Sequence, residues 1–229
     1  MRAILLAAGL GTRLRPLTNK VPKCLLLIKE KPLLEILLKQ LKESDIGPFL
    51  INTHYFSKQV EEFIETSGFS EQVELVHEPK LLGTAGTLIA NLDFYQDQDG
   101  LLMHADNYCL ADFDAFVEAH NRRPSGCLMT MMTFSTSVPC LCGIVELDKK
   151  GVVIGFHEKV DNPPGNIANG AIYILSKELI DILKTDFTNS KDFSKEVIPA
   201  MIGKIFTYET KNFFIDIGTT DNLRKANQY

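Results

Sequence analysis

A nearly continuous apolar run from Met1 to Ala7 stops at Gly9 and Gly11, the pattern of a strand buried on both faces of a parallel sheet. Pro32 suits a first helical position. Behind it Leu33, Leu34, Leu37, Leu38 and Leu41 repeat at three- and four-residue intervals, predicting a helix that stops at Gly47-Pro48. Strand Phe49–Asn52 follows, then a helix from Ser57 to Glu65 with Val60, Phe63 and Ile64 inward, then strand Val73–Val76. Ala85–Asn91 reads as helix, Leu101–Ala105 as strand and Phe113–His120 as helix, which makes a doubly wound α/β unit. After Pro124 the texture becomes β-rich, with expected strands Leu128–Phe134, Gly143–Leu147, Val152–His157 and Ala171–Leu175. Helices Lys177–Lys184 and Phe193–Ile202, strands Ile205–Glu209 and Phe213–Ile215, and a helix from Thr220 complete the prediction. The expected fold class is α/β: a mixed, mostly parallel central sheet flanked by helices, with a smaller β-rich lobe. Residues 1–229 read as one domain, with lobes 1–123 and 124–229.

Charge changes the picture at one place. The 229 residues carry a net charge of −5, and a mildly acidic chain lacks the basic face of a sequence-blind nucleic-acid binder. Yet residues 1–32 hold Arg2, Arg13, Arg15, Lys20, Lys23, Lys29 and Lys31 against Glu30 alone, so an anion is expected near the N-terminal segment. The first apolar run is too short for a secretion signal, and no stretch approaches the roughly 18 apolar residues of a membrane span. With five cysteines and no zinc-type C-x-x-C clusters, reduced thiols and a cytoplasmic location are expected. Cys140 and Cys142 form a C-x-C that reads as alternating faces of a strand rather than a metal site.

The richest string runs Gly9-Leu10-Gly11-Thr12-Arg13-Leu14-Arg15-Pro16-Leu17-Thr18 and continues at Pro22-Lys23-Cys24-Leu25. Glycines after a buried strand let backbone N–H groups approach phosphate oxygens, and Arg13 and Lys23 add charge. A dinucleotide fingerprint would need glycine where Leu14 stands, and a P-loop would need Gly-Lys-Ser/Thr. Asp106 and Asp216 each follow an apolar run, placing both carboxylates at the carboxyl ends of strands, where open α/β sheets bind ligands. Two such carboxylates suit Mg²⁺, which takes one or two of them and keeps water or phosphate oxygens as its other ligands. A turn or capping role for each aspartate is the structural alternative. His104 is read as a structural residue, and no Ser/His/Asp triad is recognisable.

Together with Asp106-Asn107, Glu158-Lys159, Asn169-Gly170 and Asp216-Ile217-Gly218-Thr219, that string resembles the sugar-1-phosphate nucleotidylyltransferases, or NDP-sugar pyrophosphorylases. The likeness covers essentially the whole chain and is to the short form, such as mannose- or heptose-1-phosphate guanylyltransferases. It implies a Rossmann-like nucleotidyltransferase fold and Mg²⁺ as cofactor. The implied substrates are a nucleoside triphosphate and a sugar 1-phosphate, joined with release of pyrophosphate for cell-surface polysaccharide synthesis. Residues 1–123 would then be the nucleotide-binding lobe, and 124–229 the sugar-binding lobe with the second metal ligand. Carried over by motif, Ala8, Gly9, Gly11, Thr12, Arg13, Lys23, Glu78, Gly83 and Thr84 would contact the nucleotide. Gly143, Glu158, Lys159 and Asn169 would contact the sugar phosphate, Asp106 and Asp216 the metal, and Arg13 and Lys23 would share in catalysis with that pair. Ala105 stands where many relatives have glycine, and the further C-terminal domain of many relatives is not expected. A monomer or homodimer is expected.

Other readings stay open at this point. Ala105-Asp106-Asn107-Tyr108 is also similar to phosphocholine cytidylyltransferases, although a choline cage would have to rest on Tyr and Phe in a chain without Trp. A UTP- or dTTP-dependent transferase and a non-catalytic nucleotide binder are the remaining alternatives. Asn162–Asn166 reads either as a loop over the sugar or as an ordinary surface turn.

Overall fold

The computed structural model describes residues 1–229, and its strands and helices follow the hydrophobic periods of the sequence. Along the chain, β1 (Arg2–Leu6) precedes a short hairpin, β2 (Leu27–Ile28) and β3 (Lys31–Pro32), then α1 (Leu33–Glu43), β4 (Phe49–Thr53), α2 (Ser57–Thr66) and β5 (Val73–His77). Next come α3 (Gly83–Ala90), β6 (Gly100–His104), β7 (Asn107–Cys109), α4 (Phe113–Asn121) and β8 (Met129–Ser135). β9 (Gly143–Leu147), β10 (Val153–Glu158), β11 (Ile167–Leu175) and α5 (Lys177–Asp186) follow. A π-helical turn, Phe193–Val197, runs into α6 (Ile198–Ala200), and β12 (Ile205–Glu209), β13 (Phe214–Asp216) and α7 (Thr220–Gln228) end the chain.

Two compact units share these elements. The first takes residues 1–81, 103–110 and 213–229; the second takes 82–102 and 111–212. They are therefore interleaved along the chain, whereas the sequence places a single change of texture after residue 123. In the first unit β1, β4 and β5 run parallel, with Leu5 beside Ile51 and Ile51 beside Leu75. All five residues of β4 are buried, as a strand covered on both faces requires. Helix α1 buries Leu33, Leu34, Leu37, Leu38 and Leu41 completely, each contributing about 1.5–3 kcal/mol. In the second unit β10, β9, β11 and β8 pair antiparallel, and β12 joins β8 in parallel. The fold class is thus the mixed-sheet α/β class that the periodicity predicts.

Several boundaries differ for local reasons. β11 begins at Ile167 rather than Ala171, because the strand stays paired with β8 on both sides of a register shift between Asn169 and Tyr173. Phe193–Ile202 is not one α-helix: a π-helical turn and a short helix containing Pro199, which has no N–H to donate, divide it. Cys140 lies in a 3₁₀ turn, Pro139–Leu141, with Cys142 just after it, not in a strand. Asp216 does end a strand, but β13 pairs with β7 in a separate two-stranded ribbon outside the main sheet.

Candidate active site

In the first unit the glycine loop is closed by its own polar bonds. Gly11 sits at φ 61° in the left-handed region, and a Cβ there would lie 2.9 Å from Thr18 Cγ2, so glycine is required. The Thr18 hydroxyl donates to the Gly11 carbonyl at 2.7 Å, and Leu14, fully buried, anchors the following turn. Ala8 is buried at the start of the loop, while Gly9, Thr12 and Arg13 face solvent.

Lys23 opens a 3₁₀ turn after Pro22, and its ammonium lies 2.6 Å from Asp106 Oδ2 and 3.0 Å from Asp216 Oδ1. Lys23 is only 7% exposed, and these two carboxylates are the partners a buried ammonium requires. Arg13 Nη2 is 3.8 Å from Asp216 Oδ2, which completes a set of two cations and two anions. The two-stranded ribbon positions the aspartates. Asp106 occupies the turn between β6 and β7, Asp216 lies opposite Asn107, and Ile217 N–H donates to the Asp106 carbonyl at 3.1 Å. Gly218 N–H donates to Asp216 Oδ1 at 2.7 Å. A Cβ on Gly218 would stand 2.7 Å from Arg13 Nη2 and 2.9 Å from Asp216 Oδ1, so a side chain there would displace one of them. Burial acts to raise the Asp106 pKa; the Lys23 ammonium, with His104 beside it, outweighs burial and holds the carboxyl below its ordinary range.

Glu78, also in the first unit, is 3% exposed and accepts a hydrogen bond from Asn52 Nδ2 at 2.9 Å. Asn52 Oδ1 in turn accepts from Ala7 N–H at 2.7 Å, so one buried amide ties the entry of the glycine loop to Glu78. Sequence reasoning missed Asn52, although an asparagine at the end of an apolar strand was the available signal.

The remaining predicted residues belong to the second unit. Gly83 and Thr84 open α3, where Thr84 Oγ1 accepts from Phe193 N–H at 2.8 Å and is thereby engaged within its own unit. Gly143 and Glu158 are directly opposed in the β9–β10 ladder. Lys159 is the next residue, at φ 52°; its N–H donates to the Cys142 carbonyl at 3.1 Å and its ammonium lies 3.2 Å from Glu158 Oε1. Asn169 sits at the β11 bulge, its Oδ1 accepting from Ala171 N–H at 2.9 Å and its Nδ2 donating to the buried Tyr173 hydroxyl at 2.8 Å. Those two bonds fix which way the amide faces, a role for Tyr173 that periodicity could not reveal. Thr130, His120 and Asp99 form a string in this unit, with His120 Nδ1 2.8 Å from the threonine oxygen and Nε2 3.2 Å from Asp99 Oδ2. Thr130 and His120 are both fully buried, so the string is packing rather than a nucleophilic triad.

A family model described as nucleotidyl transferase matches residues 2–229. The chain belongs to the nucleotidyl transferase family. A D-glycero-α-D-manno-heptose 1-phosphate guanylyltransferase of Campylobacter jejuni is 26% identical over 97% of this chain and 96% of its own. A mannose-1-phosphate guanylyltransferase of Mycobacterium tuberculosis is 28% identical over 96% of this chain and 62% of its own. The chain spans about three fifths of the length of the mannose-1-phosphate enzymes it matches. Among solved structures, HddC from Yersinia pseudotuberculosis complexed with GMP-PN superposes with a TM-score of 0.82 at 25% identity, covering 99% of this chain and 98% of that one. A Bacillus anthracis protein solved in complex with sucrose superposes with a TM-score of 0.88 at 23% identity, covering 100% of this chain and 94% of that one, a likeness of fold.

Proposed function

We propose that this nucleotidyl transferase joins a nucleoside triphosphate to a sugar 1-phosphate, giving a nucleotide sugar and pyrophosphate. The observation that carries the reading is the buried Lys23 ammonium shared by Asp106 and Asp216 beside the Gly9–Arg13 loop. A sugar phosphate has a second pKa near ~6 and is largely dianionic at neutral pH, so its oxygen attacks without a protein base. The difficulty is bringing that dianion to a polyanion. In this reading Arg13 and Lys23 would neutralise nucleotide phosphates and Lys159 the sugar phosphate, each lowering the repulsion that the substrate it binds presents.

Asp106 and Asp216 fit Mg²⁺ as hard oxygen donors already gathered around one cation, the Lys23 ammonium, whose place between them a bound ion would share. When bound there, the ion would supply charge compensation for the phosphates. Glu158 and Asn169 would hydrogen-bond the sugar hydroxyls, with Gly143 giving backbone access, while Ala8, Gly9, Gly11, Thr12, Gly83 and Thr84 would line the nucleotide.

GTP with a mannose- or heptose-type 1-phosphate is the proposed pair, supported by the names of the relatives and by the GMP-PN complex of HddC. In this reading Glu78 accepts from the guanine N1–H and amine. A UTP-dependent reaction is the second reading, favoured by a Synechocystis UTP–glucose-1-phosphate uridylyltransferase at 26% identity. Pyrophosphate release from GTP, UTP, dTTP and CTP, each against mannose, heptose and glucose 1-phosphates and phosphocholine, tests the whole reading. Release is expected with GTP and a mannose-type phosphate, and to stop when the metal is chelated. Turnover only with phosphocholine, or none with any pair, rejects it. Equilibrium binding of the four nucleotides to wild type and Glu78→Gln tests the base separately; undiminished GTP affinity in the variant removes Glu78 from that role.

A further inference from the structure

None of the five cysteines is disulfide-bonded, and they divide sharply by access. Cys24, Cys109 and Cys127 are buried, and burial pushes the Cys24 thiol up to about 12 and raises that of Cys127, which keeps both protonated and inert. Cys140 is exposed and Cys142 partly exposed, within one turn of the second unit. In that turn Leu141 N–H donates to the Val138 carbonyl at 3.1 Å and Cys142 N–H to the Pro139 carbonyl at 3.0 Å. Residues two apart span at most about 7 Å when extended, and a 3₁₀ turn shortens that, into the roughly 4.4–6.8 Å between Cα atoms that a disulfide needs.

Each end of the turn is tied to a segment named above. Thr136, whose hydroxyl lies 4.0 Å from Cys142 Sγ, donates its N–H to the Asn166 carbonyl at 2.9 Å, in the 162–166 loop. The Cys142 carbonyl accepts the N–H of Lys159, which holds a left-handed backbone, and the next residue, Gly143, opposes Glu158. Non-glycine residues persist in that conformation only when their surroundings impose it. Here the imposed bond comes from the second cysteine of the pair.

We propose that Cys140 and Cys142 are a thiol modification site, a reversible dithiol–disulfide pair oxidised by small disulfides of the glutathione class, whose closure releases the Lys159 backbone. The Cys140 thiolate attacks one sulfur of the small disulfide, forming a mixed disulfide and expelling one small thiolate. The Cys142 thiolate then attacks Cys140 Sγ, forming the intrachain bond and expelling the second. Two protein thiols lose two electrons and two protons, and the small disulfide is reduced to two thiols. An exposed bond in so small a ring belongs with labile, regulatory disulfides rather than structural ones. The consequence for Lys159 as a phosphate ligand rests on the proposed function; the chemistry of the pair does not.

The full-length chain is incubated with glutathione disulfide and examined by intact mass, peptide mapping and hydrogen exchange, before and after a dithiol reductant. The expected product has lost two hydrogens, carries no adduct, joins Cys140 to Cys142 and reverts on reduction. Amide protection at Lys159 is expected to fall, and the KM for the sugar phosphate to rise roughly fivefold to tenfold, the weight of one hydrogen bond, with nucleotide KM unchanged. Cys140→Ser and Cys142→Ser should each stop at a single glutathione adduct and keep reduced-state kinetics. A stable adduct in the wild type, or a cross-link to Cys24, Cys109 or Cys127, overturns the pair. Closure with unchanged Lys159 protection overturns the coupling. A reduced chain without sugar-phosphate turnover refutes the proposed function and leaves the mass and exchange results to decide this one.

Discussion

Lys23 is where charge, burial and chemistry meet. Its ammonium is nearly removed from water and touches two carboxylates that are themselves about 36% and 46% exposed. Replacing it with methionine leaves those carboxylates facing each other without their shared cation, and like charges in one site push a pKa upward. Lys23→Met is expected to cost about 1–2 kcal/mol of stability, discounted from a fully buried pair because water screens the carboxylates. The stability that Asp106 contributes is present above the ordinary carboxylate pKa of about 3.9 and lost as pH falls through its lower folded value. In Lys23→Met that loss should begin at higher pH; a carboxyl NMR titration of Asp106 that is unmoved would contradict the ion-pair account. Asp106→Asn and Asp216→Asn should each lower pyrophosphate release by several kcal/mol of barrier, with far-ultraviolet circular dichroism unchanged. Near-wild-type turnover in either variant removes that aspartate from the site.

At the scale of elements, the short ribbon of β7 and β13 and helix α7 behind it deliver Asp216. Thr219 caps α7 by accepting Asn222 N–H at 3.2 Å, and Asn222 Nδ2 donates to the Asp216 carbonyl at 2.8 Å. Thr219→Ala should therefore lower the urea midpoint by the equivalent of about 1 kcal/mol without changing the slope. An unchanged midpoint would mean that the cap is satisfied by water instead. The helices and parallel strands of the first unit were readable from hydrophobic periods, because α1 and β4 each bury a pattern contained within their own residues. β7 was not, since Asn107–Cys109 becomes a strand only by pairing with residues more than a hundred positions later. The same limit hid the bulge at Asn169 and the contact of Lys23 with both aspartates. Motif spacing pointed to Lys23 and to Asp106 and Asp216 as a pair; that the ammonium bridges the two carboxylates was a property of distant segments.

For the whole molecule, pH acts through His120 of the second unit. Burial lowers its pKa, and the hydrogen bond to Asp99 only partly opposes that; Arg123 adds to the lowering, and Thr130 faces the other ring nitrogen. Asp99 also accepts Lys177 N–H at 2.8 Å at the start of α5. With a folded pKa below the unfolded value of about 6.5, stability is fully present above 6.5 and lost as pH falls from there toward the folded value. The urea midpoint should be lower at pH 5 than at pH 7.5, and His120→Asn should shrink that difference; equal differences in both proteins would exclude His120 as the source. The interleaving of the units also has a consequence in time. Lys23 leaves the ribosome 193 residues before Asp216, and Asp106 follows it out roughly 110 residues before Asp216, so both wait for an interval of at least about 5–20 seconds at ordinary elongation rates. Throughout it the nascent chain has the glycine loop, one carboxylate and a lysine without its second partner. A growing polypeptide therefore cannot bring both aspartates onto Lys23 until its first unit receives the 213–229 segment, and translation itself sets the earliest moment at which these charges meet.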